Sequence, residues 1–491
     1  MLYVLDVYAA KWRCSFNQKK SQVVVVGRPT AKKKAEQFRW MLSGKVLELV
    51  GEYKYLGVET GKSVGLGRWN TLLQRLYRQA KSALSLLVYR AGGSGGLNAT
   101  LIQRKWVAEG RPLLEYGCQL WGGMISKDWE RKLESVQSQF GRATLGLHGT
   151  PAAVGVRMEL ALSSLRSRRR RLKLGLWDKF CRADPTRLLS LIFRRRHREV
   201  CMGGGPSSQL HAFKEILQES SLKDCWRDRS SAVDRVGWSK VADRAASWVS
   251  LREELEEVQA SSSLQVYSSL ELKPVRVPQY LDDYNNVEGT RLLSKCRLGH
   301  LRLLGSVARD MSWPLLRAQC LLCRSGEVEN VQHFLSCPGL RRCQQAFEQV
   351  CRRNLTQIGG PALSLLSGVL GSGRLRLLLG GSPVWPSCPD DQDAEDYRVQ
   401  CGQARWALDK ATKNFLVASW KLRESVLGVL SVRRQRFYRE PSTLSTSALL
   451  RKQPSKTPLQ LAPFRRFWQN WVPVDKKKWR KSEKGNVPTS M

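Results

Sequence analysis

Three cysteines and a histidine constrain this chain more than any other feature. Cys320-Leu-Leu-Cys323 is followed by nine residues and then by His333-Phe-Leu-Ser-Cys337. A Cys-x-x-Cys pair can offer both sulfurs from one tight knuckle, and Gly326 lets the chain leave it. His333 and Cys337 are four apart, so on a helix they share one face. Three thiolates and an imidazole in a tetrahedron suit a structural Zn2+ with no open coordination position. The competing reading is a set of buried cysteines and a core histidine. Against it, only 5 histidines occur in the chain and one stands at the required spacing. Arg317, Arg324, Arg341 and Arg342 flank the motif and can offset the negative charge of a three-thiolate zinc site. A closed zinc site does not say what the chain binds.

Charge speaks to that. The 491 residues carry 82 Lys+Arg against 42 Asp+Glu, a net charge of +40 spread in clusters along the chain. Polyanions are the expected partners, above all RNA and DNA through their phosphate backbones. A membrane surface is the weaker alternative: no basic cluster flanks an apolar span, and no run approaches the ~18 apolar residues of a bilayer-crossing helix. No membrane association is therefore expected. Met1 to Ala10 contains Asp6 and lacks a basic start, unlike a secretory leader. With 13 cysteines, an odd number, the chain reads as intracellular, in nucleus and/or cytoplasm, with thiols or metal ligands rather than disulfides. Oligomeric state is not legible.

The expected fold is mainly α, with a small α/β portion at the amino terminus. In residues 1–60, Leu2 to Trp12 has helical character and Val23 to Val26 reads as a buried strand, turned at Gly27. Lys45 to Val50 and Tyr53 to Val58 read as two more strands. Residues 61–165 are helical, with an apolar stripe of Leu72, Leu73, Leu76, Ala80, Ala83 and Leu87. A linker at Gly92–Gly96 follows, then a helix from Ala99 to about Trp121 and another from near Asp128. Thr150-Pro151 starts an element expected to end at Arg168-Arg169-Arg170-Arg171, a cluster suited to phosphate contacts. Residues 166–289 read as a basic helical linker region. In it Trp226, Trp238 and Trp248 are either core or stacking platforms for bases. The zinc module spans 290–352. Residues 353–400, rich in Gly, Ser, Pro and Asp, read as a flexible linker, 401–432 as an amphipathic helix, and 433–491 as a partly disordered basic tail.

Two amino-terminal stretches carry a resemblance. They are Lys11-Trp12-Arg-Cys-Ser-Phe16-Asn17-Gln-Lys-Lys20-Ser21, which runs on to Gly27, and Tyr53-Lys54-Tyr55-Leu56-Gly57-Val58. Together they resemble the late palm of reverse transcriptases from non-LTR (LINE-type) retrotransposons. Leu114-Glu-Tyr116-Gly117-Cys-Gln-Leu-Trp121-Gly122 resembles the thumb of that family, and Arg297 to Arg309 leads into the Cys/His cluster as its carboxy-terminal region does. The resemblance implies a palm remnant over 1–60, thumb-like helices over 61–165 and a zinc knuckle over 290–352. It also implies nucleic-acid contacts at Lys20, Tyr53, Lys54, Tyr55 and Gly57, with Lys20 matching a lysine that assists pyrophosphate departure.

Nucleotidyl transfer by that family needs paired carboxylates holding Mg2+. These are expected upstream of Met1, so Mg2+ belongs to the complete polymerase alone and no catalytic residue is expected in this chain. Tyr280-Leu281-Asp282-Asp283 matches the family's Tyr-x-Asp-Asp in letters. Its setting, with Pro274 and Pro278 before it and Tyr-Asn-Asn after it, fits a loop with a helix-capping aspartate better than a catalytic hairpin. Asp390-Asp391 has no strand context. The expected function is a nucleic-acid-binding carboxy-terminal portion of a reverse transcriptase, inactive alone. The alternative is a domesticated zinc-dependent RNA/DNA-binding scaffold with no catalytic role.

Overall fold

The fold is seen in a computed structural model. It describes residues 2–17, 20–25, 29–61, 69–92, 98–147, 151–203, 208–228, 235–270, 277–312, 314–390 and 392–437. The expected turn at Gly27, most of the Gly-rich linker after Gly92, Thr150, Pro274, Asp391 and the tail beyond 437 lie outside these residues.

The amino-terminal part is α/β. Its elements are α1 (Leu2–Lys11), β1 (Gln22–Val24), α2 (Pro29–Glu36), β2 (Met41–Leu42), β3 (Lys45–Val46), β4 (Glu48–Val50), β5 (Glu52–Tyr55) and β6 (Val58–Gly61). β1 and β4 pair in parallel, with α2 in the crossover between them. The strand expected to be buried at Val23 is only half-buried, because no further strand covers it among the described residues. Both hairpins close on two-residue loops with positive φ at each position: Ser43-Gly44 (53° and 72°) and Leu56-Gly57 (46° and 77°). That backbone matches the right-handed twist of paired strands. Tyr53 to Val58 is therefore a strand, a turn and the start of the return strand, not one strand as its alternation suggested.

From here the chain is helical. α3 (Asn70–Gly92) buries Leu72, Leu73, Leu76, Ala80, Leu84 and Leu87, so Leu84 takes the place expected for Ala83. The single helix expected from Ala99 to Trp121 is broken. α4 (Ala99–Lys105) runs into a π turn at Trp106–Gly110 and α5 (Arg111–Glu115), and Gly117 at φ 65° starts α6 (Cys118–Trp121) on a new axis. α7 (Lys127–Leu145) is capped by the Ser126 hydroxyl and stopped at left-handed Gly146, and its Phe140 stacks on Trp106 at 4.6 Å. α8 (Ala153–Glu159) and α9 (Leu165–Cys181) follow. The four arginines thus lie inside α9 rather than ending an element. α10 (Leu188–Cys201), α11 (Ser208–Glu219), α12 (Asp224–Arg227) and α13 (Arg235–Ala260) surround a second, aromatic core of Trp177, Phe193, Phe213, Trp226 and Trp238. Trp226 and Trp238 are thus packing residues. Trp248 is exposed, with the Arg252 guanidinium 4.9 Å from its ring centre.

α14 (Gln265–Ser269), α15 (Val287–Arg297), α16 (Leu304–Asp310), α17 (Val331–Ser336), α18 (Arg341–Ile358), α19 (Pro361–Leu370), α20 (Arg374–Leu378) and α21 (Ala394–Phe437) complete the described chain. One hydrophobic core runs through Leu72, Trp106, Phe140, Leu293, Cys337, Phe347, Leu378 and Phe415. Residues 1–428 cluster as one unit. The boundaries expected at 289, 352 and 400 do not divide the core. Residues 353–400 are likewise not a flexible linker: α19 and α20 bury Leu365, Val369, Leu377 and Leu378, and the buried Arg297 donates to the Leu379 carbonyl at 2.5 Å. Leucines at helical spacing outweigh the Gly/Ser/Pro composition once a neighbouring surface buries them.

The fold is mainly helical, as expected. No helix among the described residues is long and apolar enough to cross a membrane.

Candidate metal centre and nucleic-acid interface

Cys320 sits on a short antiparallel bridge and Cys323 in the turn that follows it. Cys320 N–H donates to the Glu327 carbonyl at 2.8 Å and Glu329 N–H to the Ala318 carbonyl at 2.8 Å. The knuckle turns between these rungs, with Arg324 at φ 57° and Gly326 at φ 81°. Asn330 then caps α17, its side-chain oxygen accepting from His333 N–H at 2.8 Å. The cap sets the helical phase that aims His333 inward. Cys337 falls one residue past α17, so the expected shared helical face holds only approximately. Gly339 lets the two halves meet, since a Cβ there would lie 2.8 Å from the Leu322 backbone.

The four ligand atoms of Cys320, Cys323, His333 and Cys337 lie within 4.8 Å of one another. Among the described residues they are the one group of three or more Cys, His, Asp or Glu side chains placed to share a metal ion. Cys320 Sγ and Cys337 Sγ are 3.7 Å apart, and Cys323 Sγ is 3.3 Å from His333 Nε2. An ion about 2.3 Å from each sulfur of a tetrahedron sets sulfurs about 3.8 Å apart, so the donor set fits a tetrahedral cation. His333 Nδ1 faces the Glu327 carboxylate at 2.5 Å. With the proton on Nδ1, the lone pair of Nε2 points into the cluster, the arrangement that orients metal-bound histidines. Burial pushes the Cys337 thiol up to about 12 and raises Cys320 as well, so a cation has to displace their protons. Burial acts upward on Cys323 too. Hydrogen bonds from Ser325 and from the neighbouring thiols outweigh it and bring that thiol down to about 6.

Three of the four stretches that carry the resemblance meet at one place. Tyr53 Oη donates to the Lys20 carbonyl at 2.9 Å. Tyr116 donates to the Leu56 carbonyl, and Arg75 donates to the Gly57 carbonyl. Gly57 is required there: its φ is 77°, and a Cβ would lie 3.0 Å from the Tyr116 hydroxyl. Lys20, Lys54 and Tyr55 are exposed, and as neighbours on β5 Lys54 and Tyr55 face opposite sides of the hairpin.

The arginine cluster is different. Arg168 makes a two-pronged pair with Glu115 (2.9 and 3.1 Å), and Arg169 pairs with Glu130 at 2.9 Å. Arg170 pairs with Glu253 (2.8 and 2.8 Å) and with Glu219 at 2.9 Å, and Arg171 with Asp243 at 2.8 Å. Arg169 and Arg170 are buried. Helix packing occupies the buried Arg169 and Arg170, while Arg168 is half-buried and Arg171 exposed beside their carboxylates.

Asp283 is equally committed, whereas Asp282 is exposed. Asp283 is buried, accepts from Asn285 N–H at 2.9 Å and pairs with the fully buried Lys413 of α21. Tyr280 is buried, its hydroxyl bonded to Glu159 and 2.9 Å from Ser294 Oγ. The expected loop is present, but its helix cap is Asn286, which accepts from Gly289 N–H at 2.8 Å, and not an aspartate.

Sequence reasoning missed Glu327, Glu329 and the clasp by Tyr116. Asn330-x-x-His333 was readable as a cap, whereas nothing local marks Glu327. No family model, no curated protein and no solved structure matches the chain.

Proposed function

We propose that this protein is a nucleic-acid-binding chain built around a structural zinc ion, corresponding to the carboxy-terminal part of a LINE-type reverse transcriptase and not polymerising by itself. The meeting of Lys20, the Tyr53–Val58 hairpin and Tyr116 carries this reading. Three stretches that resemble the family in sequence are neighbours in space, as parts of one primer-gripping corner would be. The zinc reading is supported by three sulfurs and one imidazole nitrogen at tetrahedral spacing. The net charge of +40 favours a polyanionic partner, and exposed Tyr55 offers a stacking face while exposed Lys20 and Lys54 offer phosphate contacts. The engagement of Asp283 with Lys413 argues against metal-dependent nucleotidyl transfer at that pair.

The test is binding of the zinc-loaded full chain to an RNA–DNA primer duplex over a salt series. Affinity is expected to fall steeply with salt, and Lys54→Glu with Tyr55→Ala to weaken it at least tenfold. Primer extension is expected to stay at background. A flat salt response, or extension abolished by Asp283→Asn, would overturn the reading.

A further inference from the structure

α10 presents two chemistries on one exposed side. Its inner face, Ser190, Phe193, His197 and Val200, packs into the aromatic core beside α9 and α11. Its outer face begins with four aliphatic side chains open to solvent: Leu188 is 71% exposed, Leu189 56%, Leu191 52% and Ile192 51%. Solvated aliphatics in isolation are ordinary, but four contiguous ones on two successive turns form a patch of the kind that marks an interaction surface.

Arginines bracket the patch. Arg187 precedes it, and Arg194, Arg195, Arg196 and Arg198 follow it on the next turns. Of the nearby acids, Glu199 pairs with Arg195 at 3.2 Å and Arg196 at 2.9 Å, and Asp184 is turned onto the Thr186 N–H and hydroxyl at 2.9 and 2.7 Å. Five guanidinium groups against two carboxylates leave the face cationic.

We propose that the outer face of α10 docks the protein onto an anionic phospholipid surface, with the helix lying in the plane of the headgroups. Leu188, Leu189, Leu191 and Ile192 enter the acyl boundary, and the flanking arginines reach up to lipid phosphates. Interfacial helices combine these parts, buried aliphatic area with basic side chains at the phosphate level. Three observations select this occupant. A nucleic acid would use the arginines but gain nothing from the aliphatic ridge. A peptide ligand needs a groove, whereas these side chains stand out from a single helix, Leu188 most of all. A second copy of the chain would bring another arginine-rich face of the same sign against this one. The proposal is independent of the zinc centre and of nucleic-acid binding, and it departs from the expectation of no membrane association, which weighed only spans long enough to cross a bilayer.

The experiment is co-sedimentation of the zinc-loaded full chain with phosphatidylcholine vesicles, with and without phosphatidylserine. Wild-type protein is compared with Leu191→Ser/Ile192→Ser, which changes no charge. Wild type is expected to partition onto the phosphatidylserine vesicles and not onto phosphatidylcholine alone. The double variant is expected to lose roughly tenfold or more of that partition, since two aliphatic side chains no longer leave water. Its zinc content, circular dichroism and RNA affinity should match wild type, because both side chains are already half exposed. Equal partition of variant and wild type would reduce the effect to unspecific charge and overturn the proposal. So would no partition of wild type, a wild-type dimer that the variant abolishes, or a parallel loss of RNA affinity.

Discussion

Arg423 and Glu329, 94 positions apart, form a buried two-pronged ion pair, Nε to Oε1 at 2.6 Å and Nη2 to Oε2 at 2.7 Å. Glu329 belongs to the ladder that carries Cys320, its carboxylate also accepts from Leu304 N–H at 2.7 Å, and the next residue caps the helix of His333. Trp420, one turn before Arg423, meets Phe334 of α17 edge-on at 6.2 Å. The metal loop and α21 are thus joined through one carboxylate.

Arg423→Ala should therefore cost about 3–5 kcal/mol, because it leaves a carboxylate buried without its cation. The companion change Glu329→Gln should recover part of that loss. Urea titrations of the two single variants and the double variant measure the coupling, and strictly additive effects would contradict it.

Zinc should bind with release of roughly two protons near neutral pH, from Cys320 and Cys337, whose thiols burial holds protonated. The sign follows: apparent affinity rises with pH and weakens in acid. Calorimetry in buffers of different ionisation enthalpy counts the protons. Glu327→Gln should lower zinc affinity by about tenfold to a hundredfold, as loss of a carboxylate behind a ligating histidine generally does. Chelation should also loosen α21 from the metal loop, which hydrogen exchange of residues 415–425 would report.

Arg170→Ala should destabilise the fold by about 1–3 kcal/mol through loss of charged hydrogen bonds to Glu253 and Glu219. At equal folded fraction its RNA affinity should change little. A large fall in affinity with unchanged stability would return the α9 arginines to the binding face.

Lys173 is buried and bonded to the Gly122 carbonyl, and desolvation brings its ammonium down to about 8 from the ordinary 10.5. Between these values the unfolded chain holds a proton that the folded chain has given up. Lys173 therefore contributes a stability increment that grows as pH rises from about 8 to 10.5. The melting-temperature difference between wild type and Lys173→Met should move in favour of wild type across that window.

What this sequence determines by itself is local. Spacing alone named Cys320, Cys323, His333 and Cys337, because a knuckle and one helical turn bring such residues together whatever surrounds them. The stripe of α3 and the start of α7 near Asp128 were equally readable, being set by helical period. Pairing across the chain was not readable. Arg170 looked like a phosphate ligand until Glu253 and Glu219 met it, and Asp283 looked like part of a loop capping a helix until Lys413 of α21 paired with it. The segment after Ile358 looked like a linker until Arg297 reached the Leu379 carbonyl. A charged or apolar side chain does not reveal in the sequence whether water, a ligand or a distant residue satisfies it. Desolvation and partner geometry decide that, and both exist only once the helices have packed.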